Sequence, residues 1–460
     1  MPAPARVAAL RALLIVDDGQ TTVGDALART RNRLADRRDR ALATEIVTGT
    51  LRWQAALDFL IERASGRAID RLDVGSRSIL RSGAFQLLHL ARVPASAVVN
   101  DSVDLAKAGR RPGSASFINA VLRRIVRDGA AALPPRPPEL ALPRPGAAAS
   151  AASGALLDYL SITLSHPRWL VARWVERFGA EEAEKMATFN NVSPRATLRP
   201  NVRVTSSDAL RAAMLEDHVV VEPSRFAPGA LTVVGGHPTM ERERAGEYWI
   251  QDESSQLVAF LVDVTGGGPL LDLCASPGGK SLITAERAGI QATIVSADSR
   301  RRRLELLRDT LGRFGASNVR VVGLDGTRSL PFRRPFSSVL VDAPCSGLAT
   351  IRRDPEVRWR RHPNDFPDLV RRQLALLTTA SSAVAPGGQL VYATCSSEPE
   401  ENQWVVDRFL DAAGVFAREE VARVDSRMAR DLFDASGDFQ PRPNTHGLEA
   451  FFAARLRRLR

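Results

Sequence analysis

Cysteine and lysine are scarce in this chain: its 460 residues include only three of each. Cys274, Cys345 and Cys395 are too few, and odd in number, for a disulfide scaffold, so the chain reads as one made for a reducing, cytoplasmic compartment. Lys107, Lys185 and Lys280 stand in a background where arginine carries nearly all the positive charge. A lysine retained there marks a place where a compact ammonium is wanted in preference to a planar guanidinium. Also missing is any apolar run long enough to span a bilayer, which excludes a helical membrane protein and removes the membrane as an expected partner. The opening MPAPARVAALRALL is apolar only briefly, lacks a clear cleavage site and runs on into polar sequence. It reads as a first helix rather than a signal peptide. Proline is absent from residues 5–93, so nothing there interrupts a helix.

What the chain has in excess is positive charge. The formal net charge is +11, and residues 1–130 carry 21 Lys and Arg against 13 Asp and Glu. That balance favours a polyanionic partner, nucleic acid first. In the same stretch apolar residues recur at helical spacing: Val7, Leu10, Leu13 and Leu14, then Ile46, Val47, Thr50 and Leu51, then Phe85, Leu87, Leu88 and Leu90. Phe117, Val121, Leu122 and Ile125 give a further amphipathic helix that carries Arg123, Arg124 and Arg127, whose other reading is a plainly solvated face. Residues 1–130 are expected to form an all-α domain. Residues 131–155 hold six prolines and many alanines and read as an extended linker. Residues 156–245 combine a helical stretch, Trp169 to Phe189, with short apolar runs such as Leu231 to Val234, which suggests a small α+β domain. From 246 to 460 short apolar runs ending in Asp or Cys alternate with helical stretches. The runs are LLDLC (270–274), TIVSAD (293–298), VRVVGLD (319–325), SVLVDAP (338–344) and LVYATC (390–395). Such alternation predicts an α/β, Rossmann-like domain with a parallel sheet, whose ligands sit beyond the carboxyl ends of the strands. The fold class expected is therefore multidomain.

The polar residues cluster at those strand ends. The first run leads into Asp272-Leu-Cys274-Ala275-Ser276-Pro277-Gly278-Gly279-Lys280-Ser281, a strand, a glycine turn and a helix start. Glycines let a ligand approach the backbone, and the helix N-terminus offers free N–H groups. A phosphate loop is excluded because it needs a glycine where Cys274 stands, and the G-x-G-x-x-G dinucleotide fingerprint is absent. Asp298 ends the next run, 19 residues after Gly279. It is placed to bind two ribose hydroxyls, or simply to cap the helix that begins near Arg300. Arg303 reads as a cofactor contact or a solvated side chain, and Asp325 as the acceptor of an adenine amino group or a turn residue. The fourth run ends in Asp342-Ala343-Pro344-Cys345-Ser346-Gly347, the fifth in Thr394-Cys395-Ser396. Two of the three cysteines thus stand at the ends of two strands of one parallel sheet, where they can face one crevice. A zinc site, and any metal site, is not expected, because the cysteines are far apart and no C-x-x-C accompanies them. Phe451 and Phe452 read as a strand, and Arg455 to Arg460 as a solvated end, with a phosphate contact as the other reading.

Together these residues resemble the Nol/Nop/Sun family of RNA cytosine-5 methyltransferases. The likeness rests on Asp272 to Lys280, Asp298, Asp325, Asp342-Ala-Pro-Cys345-Ser-Gly and Thr394-Cys395-Ser396, with Gln251-Asp-Glu-Ser-Ser-Gln256, Arg352-Arg-Asp-Pro355 and Glu401-Asn402. It spans about 165–460. In front, Val47-Thr48-Gly49-Thr50-Leu51-Arg52, Ile79-Leu-Arg81, Asn100-Asp-Ser-Val103 with Lys107, and Phe117 to Arg123 look like the NusB-type RNA-binding fold. One departure is Gly447-Leu448-Glu449-Ala450 before Phe451, where the family usually has Asp-Gly. The resemblance implies S-adenosylmethionine as cofactor, held by Cys274, Ala275, Ser276, Pro277, Gly278, Gly279, Lys280, Asp298, Arg303, Asp325 and Asp342. It implies a monomer acting on RNA, and the fusion of the two parts points to 16S rRNA or an early small-subunit particle. It assigns nucleophilic attack to Cys395 and assistance with release to Cys345. Asp342 would hold the cytosine N3/N4 edge, and Lys280 would orient Asp342 or lower a thiol pKa.

The chemistry explains why thiols are needed. Cytosine C5 is a poor nucleophile, and addition of a thiolate at C6 makes it enamine-like. The target base must be unpaired or flipped out. An amino-group methyltransferase needs no cysteine and carries Asn/Asp-Pro-Pro-aromatic at the fourth strand, where Cys345 fills the aromatic's place. DNA cytosine enzymes put the nucleophile in the Pro-Cys motif. The alternative from another class is an RNA-binding assembly or antitermination factor with an unused methyltransferase fold, against which Cys395, Cys345, Asp298 and Lys280 argue.

Overall fold

The computed structural model describes residues 1–31, 33–109, 113–137, 153–421 and 424–459, so most of the expected linker lies outside the described residues. By contacts it divides into two compact units, Met1–Ser193 with Ile351–Arg361, and Pro194–Thr350 with His362–Arg460. No helix among the described residues is long and apolar enough to cross a membrane.

The first unit is all-helical, as expected. Its opening helices are Pro4–Val16, Val23–Arg31, Arg37–Arg52, Gln54–Ser65, Val74–His89, Ala95–Ala108 and Ser114–Asp128. Asp36 and Asp73 cap two of them by accepting from Arg38 N–H and Ser76 N–H. The core is built from Leu57, Ile61, Leu80, Phe85, Ile118 and Leu122, each worth roughly 1.5–3 kcal/mol when buried. Gly49 allows the Phe85 ring to lie flat on its helix, since a Cβ there would stand 2.0 Å from Phe85 Cζ. The first helix differs from expectation: Ala5, Ala8, Ala9 and Ala12 turn inward with Leu13 and Val16, and Leu14 is exposed. Alanines let helices approach closely, so the buried face is broader than the large residues mark: Leu13 lies on it, Val7 and Leu10 pack against the core, and of the four expected residues Leu14 alone faces out.

The helical stretch expected from Trp169 to Phe189 is two helices, Arg168–Phe178 and Ala180–Asn191, separated by Gly179 at φ 81°. By contacts it packs in the first unit, although the sequence grouped it with the small α+β part. Residues 351–361 join this unit as well. Arg358 is fully buried there and donates to the carbonyls of Ser165 (2.9 Å), Asn190 (3.2 Å) and Ile351 (3.2 Å) and to Asn191 Oδ1 (3.0 Å). Burial pulls its pKa down to about 9, with Arg52 adding to the effect. Trp359 Nε1 donates to Leu51 O at 2.7 Å. These ties are non-local, which is why a local reading of the sequence could not find them.

The second unit contains two sheets. Strands β1 (Thr197–Pro200), β2 (Val220–Pro223), β3 (Leu231–Gly235) and β4 (Tyr248–Ile250) form an antiparallel sheet in the order β2-β3-β1-β4. Strands β5 (Leu270–Leu273), β6 (Ile294–Asp298), β7 (Val319–Gly323), β8 (Phe336–Asp342), β9 (Val384–Thr394), β10 (Phe416–Arg418) and β11 (Phe452–Arg458) form the other, in the order β10-β11-β9-β8-β5-β6-β7. β5 to β9 pair in parallel, and β10 and β11 add an antiparallel edge. β5 is buried at every position because helices cover both faces of such a sheet. From β5 the chain proceeds to β6 on one side and later returns to β8 on the other. The order reverses between β5 and β8, and ligands of these sheets bind at that switch point.

β11 corrects one expectation. Arg455 and Arg457 are strand residues that ion-pair with the buried Glu419, and Arg457 also reaches Asp263 at 3.3 Å. They are neither a solvated tail nor a phosphate contact; Arg460 lies outside the described residues.

Candidate active site

The glycine turn sits where the switch point requires it. Cys274 leaves β5 with φ 70°, Ala275 N–H donates to Ala297 O at 2.8 Å, and Gly278 takes φ 113° before the helix Gly279–Ala288. A Cβ on Gly279 would come within 2.6 Å of Gln251 Oε1, so the turn is packed against the Gln251 side chain and open only to what approaches its backbone. Ser276 and Pro277 join Cys274 and Ala275 in the same turn. Burial, with Asp298 and Asp342 nearby, pushes the Cys274 thiol well up, so it is held as a neutral thiol.

Three carboxylates line the strand ends. Asp272 is buried on β5; Ser281 Oγ donates to its Oδ2 at 2.5 Å and in turn accepts from Ser296 Oγ at 2.8 Å. Its Oδ1 has no hydrogen-bond partner. Burial outweighs the Ser281 bond and raises its pKa to about 7. Asp298 is buried at the end of β6, with Oδ1 accepting from Arg300 N–H at 3.3 Å and Oδ2 without a hydrogen bond. The half-exposed Arg303 stands 3.7 Å from that oxygen. Asp325 lies two residues beyond β7, half-exposed, and accepts from Thr327 N–H at 3.0 Å and Thr327 Oγ1 at 2.7 Å. It is a turn residue here, not the last residue of a strand. Two buried carboxylate oxygens without donors, beside a turn that presents backbone N–H groups, fit a ligand rich in hydroxyl groups and positive charge. A nucleoside bearing a sulfonium has that chemistry.

The other half of the site is at the ends of β8 and β9. Lys280 Nζ donates to Asp342 Oδ2 at 2.8 Å. Burial works against the ammonium, but Asp342, with Cys395 and Asp272 behind it, overcomes this and holds the pKa above its ordinary value. The Phe451 ring lies 5.8 Å from the same nitrogen. Phe452 begins β11, as expected, while Phe451 precedes the strand. The two other lysines differ: Lys185 makes helix-surface pairs with Glu181 and Glu182, and Lys107 is exposed 3.7 Å from Asp104. Of the three, only Lys280 is largely covered and paired within this site.

Cys345 and Cys395 meet, with Sγ···Sγ 3.2 Å. Their hydrogen bond, then burial, raises the Cys345 pKa well above that of a free thiol. The strand-end positions read from sequence thus come together in space for Cys345, Cys395, Asp342 and Lys280, with the glycine turn and Asp298 on the β5–β6 side. Asp325 and Arg303 stand at its exposed margin. Two buried carboxylates in these turns carry no role of their own in the sequence reading: Asp272, visible only as part of the glycine motif, and Glu401, which stands beside Asn402 in the resemblance. Neither burial nor an unsatisfied oxygen can be read from a one-dimensional motif.

Among known proteins, the chain matches the model of the 16S rRNA methyltransferase RsmB/F family over residues 259–457. It also matches the NusB family over residues 3–127 and the RsmF/B-like ferredoxin-like domain over residues 166–239. The Bacillus subtilis protein named "Probable ribosomal RNA small subunit methyltransferase B" is 31% identical, covering 93% of this chain and 92% of its own. Ribosomal RNA small subunit methyltransferase B of Pseudomonas putida is 30% identical, with 98% of each chain covered. The crystal structure of the protein PH0851 superposes with a TM-score of 0.81 over 99% of both chains at 23% identity, which establishes the fold: an all-α NusB domain, a ferredoxin-like domain and a Rossmann-like methyltransferase domain.

Proposed function

Because this chain belongs to the RsmB/F family of small-subunit rRNA methyltransferases, we propose that it methylates C5 of a cytosine in 16S rRNA through a covalent cysteine–C6 intermediate. The observation that carries this reading is the pair of thiols 3.2 Å apart at the ends of β8 and β9. Methylation of an exocyclic amine needs no thiol, and simple addition needs only one. S-adenosylmethionine, when bound, supplies the sulfonium methyl that an activated C5 accepts. The turn from Cys274 to Lys280 and the open oxygen of Asp298 would hold it, with Asp272 behind the turn and Arg303 and Asp325 at the margin.

The protein's own part is addition, orientation and proton handling. Cys395 Sγ bonds to C6 of the base as the thiol proton passes to N3, and the electron pair displaced from the C5–C6 double bond makes C5 nucleophilic. Asp342 accepts from the N4 amino group and a protonated N3, which draws charge out of the ring. Lys280 fixes the carboxylate from behind by donating to its Oδ2 at 2.8 Å. After transfer a base takes the C5 proton, the C5–H electron pair restores the C5–C6 double bond, and the Sγ–C6 bond breaks with its electron pair going to the Cys395 sulfur. A thiol held protonated, as Cys345 is, suits a group that waits beside the nucleophile and exchanges a proton with it during release. The exposed Arg123, Arg124 and Arg127 on the helix Ser114–Asp128 would contact RNA phosphates, and the protein would act as a monomer.

Bisulfite sequencing of rRNA tests the target atom. Cells lacking the gene should lose protection at one cytosine of 16S rRNA and regain it when the gene is restored. An unchanged bisulfite pattern would contradict C5 methylation.

A further inference from the structure

Glu401 is fully buried at the end of the turn Pro399–Glu401, and each of its carboxylate oxygens serves a different thiol-bearing loop. Oε1 accepts from the N–H of Ser346 at 2.8 Å, the residue after Cys345. Oε2 accepts from Ser396 Oγ at 2.5 Å, the residue after Cys395. Gln373 Nε2 donates to Oε1 at 2.9 Å and to Pro344 O at 3.0 Å, so the Cys345 loop is held from both sides of the cysteine. The two serine hydroxyls meet at 3.1 Å. Asn402 Nδ2 donates to Ser396 O at 2.9 Å and Tyr392 OH to Glu401 O at 2.6 Å, which fixes the turn that carries the carboxylate.

We propose that Glu401 is the positioning residue that sets the spacing of the Cys345 and Cys395 thiols, and through it the passage from attack to release. The two loops leave separate strands, and besides the thiol pair and the serine pair they are joined by Ala349 N–H donating to Cys395 O at 3.2 Å; Glu401 is the charged group among these links and reaches the residue after each cysteine. Hydrogen bonds to an ionised acceptor are roughly twice as strong as neutral ones, and a buried carboxylate is tolerated when its lone pairs are used. Glu401 meets that condition by tying one loop to each oxygen. Without it the loops keep their strands and their weaker neutral links, but the spacing of the two thiols loosens.

The catalytic consequence rests on the two-thiol reading, but the spacing can be measured without RNA. Phenylarsine oxide bridges two nearby thiols with loss of one water, and native mass spectrometry follows it on the full-length protein. The wild type should form a one-to-one complex that both Cys345→Ala and Cys395→Ala abolish. Glu401→Ala should bind the arsenical at least about tenfold more weakly, the loss expected from removing hydrogen bonds to a charged acceptor. Glu401→Gln should stay within about threefold of wild type, because its oxygen still accepts from Ser346 N–H while Ser396 Oγ accepts from the amide. Should Glu401→Ala fail to fold, Ser396→Ala, which removes only the Cys395 arm, should still weaken bridging. A folded Glu401→Ala or Ser396→Ala protein that bridges as tightly as wild type overturns the proposal, as does a wild type that does not bridge. With RNA and S-adenosylmethionine, Glu401→Ala should retain methyl transfer and accumulate a protein–RNA adduct, which a general loss of stability would not produce. Absence of adduct in every variant, Cys345→Ala included, would count against the covalent reading alone, and the arsenical arms would still judge the clamp.

Discussion

Asp298→Ala gives the cleanest quantitative test of the cofactor side. The carboxylate is 4% exposed, one oxygen holds the N–H of Arg300 at 3.3 Å, and the other has no hydrogen bond. In the empty protein that second oxygen is offset only by the half-exposed Arg303 at 3.7 Å, a weak pair, so removing the side chain should cost little stability, about 1 kcal/mol or less. With cofactor present it would accept from ribose hydroxyls, and such bonds to a charged group contribute roughly 1.5–3 kcal/mol. The dissociation constant for S-adenosylmethionine should therefore rise about 10- to 150-fold. At a cofactor concentration near 100 times the wild-type constant, binding should stabilise the wild type by about 2.7 kcal/mol and the mutant by only about 0.3–1.4 kcal/mol. Titration calorimetry measures the first quantity and urea unfolding with and without cofactor the second, while RNA affinity should be unchanged. A mutant that binds within twofold of wild type would refute the assignment of Asp298 to the ribose.

Two other expectations follow from the same structure. The Asp272 pKa, raised to about 7 by burial, means that between about pH 4 and 7 the folded protein holds a proton the unfolded chain has released. Its contribution to stability then falls as pH rises through that window and is flat above it, so Asp272→Asn should gain on wild type in urea midpoint from pH 4 to 7; parallel profiles would contradict the shift. Replacing Arg123, Arg124 and Arg127 together by Gln should lower the salt dependence of RNA binding by up to about 2–3 units of log–log slope without moving the melting temperature, because the three are exposed and the pairs of Arg124 and Arg127 with Asp128 contribute little. An unchanged slope would show that this face does not meet RNA. Substitution is preferable to deleting residues 1–130, since Trp359 bonds to Leu51 and would lose its partner.

The sequence was most legible where burial and periodicity coincide. Four of the five apolar runs became β5, β6, β8 and β9 because strands covered on both faces are nearly continuously apolar and the chain turns where polarity resumes; the edge strand β7, with Arg320 exposed, is only partly covered. Asp342 and Cys395 fell at the strand ends for that reason. Asp325 did not, because β7 stops at Gly323 and the turn that follows is polar for its own hydrogen bonds to Thr327. Arg455 and Arg457 misled for the opposite reason: arginines near a terminus look solvated until Glu419 is found opposite them. The insertion of 351–361 into the helical unit, with Arg358 bonded to residues around 165 and 190, is set by contacts remote in sequence. The Glu401 network was invisible for the same reason, although its residues stood in plain view as a motif.

The central claim is that Cys395 attacks and Cys345 releases. Each cysteine should be changed to alanine, and the protein incubated with cofactor and unmodified 16S rRNA before denaturing electrophoresis. Cys395→Ala should give neither methylated RNA nor a covalent complex. Cys345→Ala should transfer the methyl group and then stall as a protein–RNA adduct that the double mutant cannot form. An adduct that accumulates in Cys395→Ala would reverse the two roles, and a Cys345→Ala enzyme that turns over normally with nothing trapped would reduce that thiol to packing.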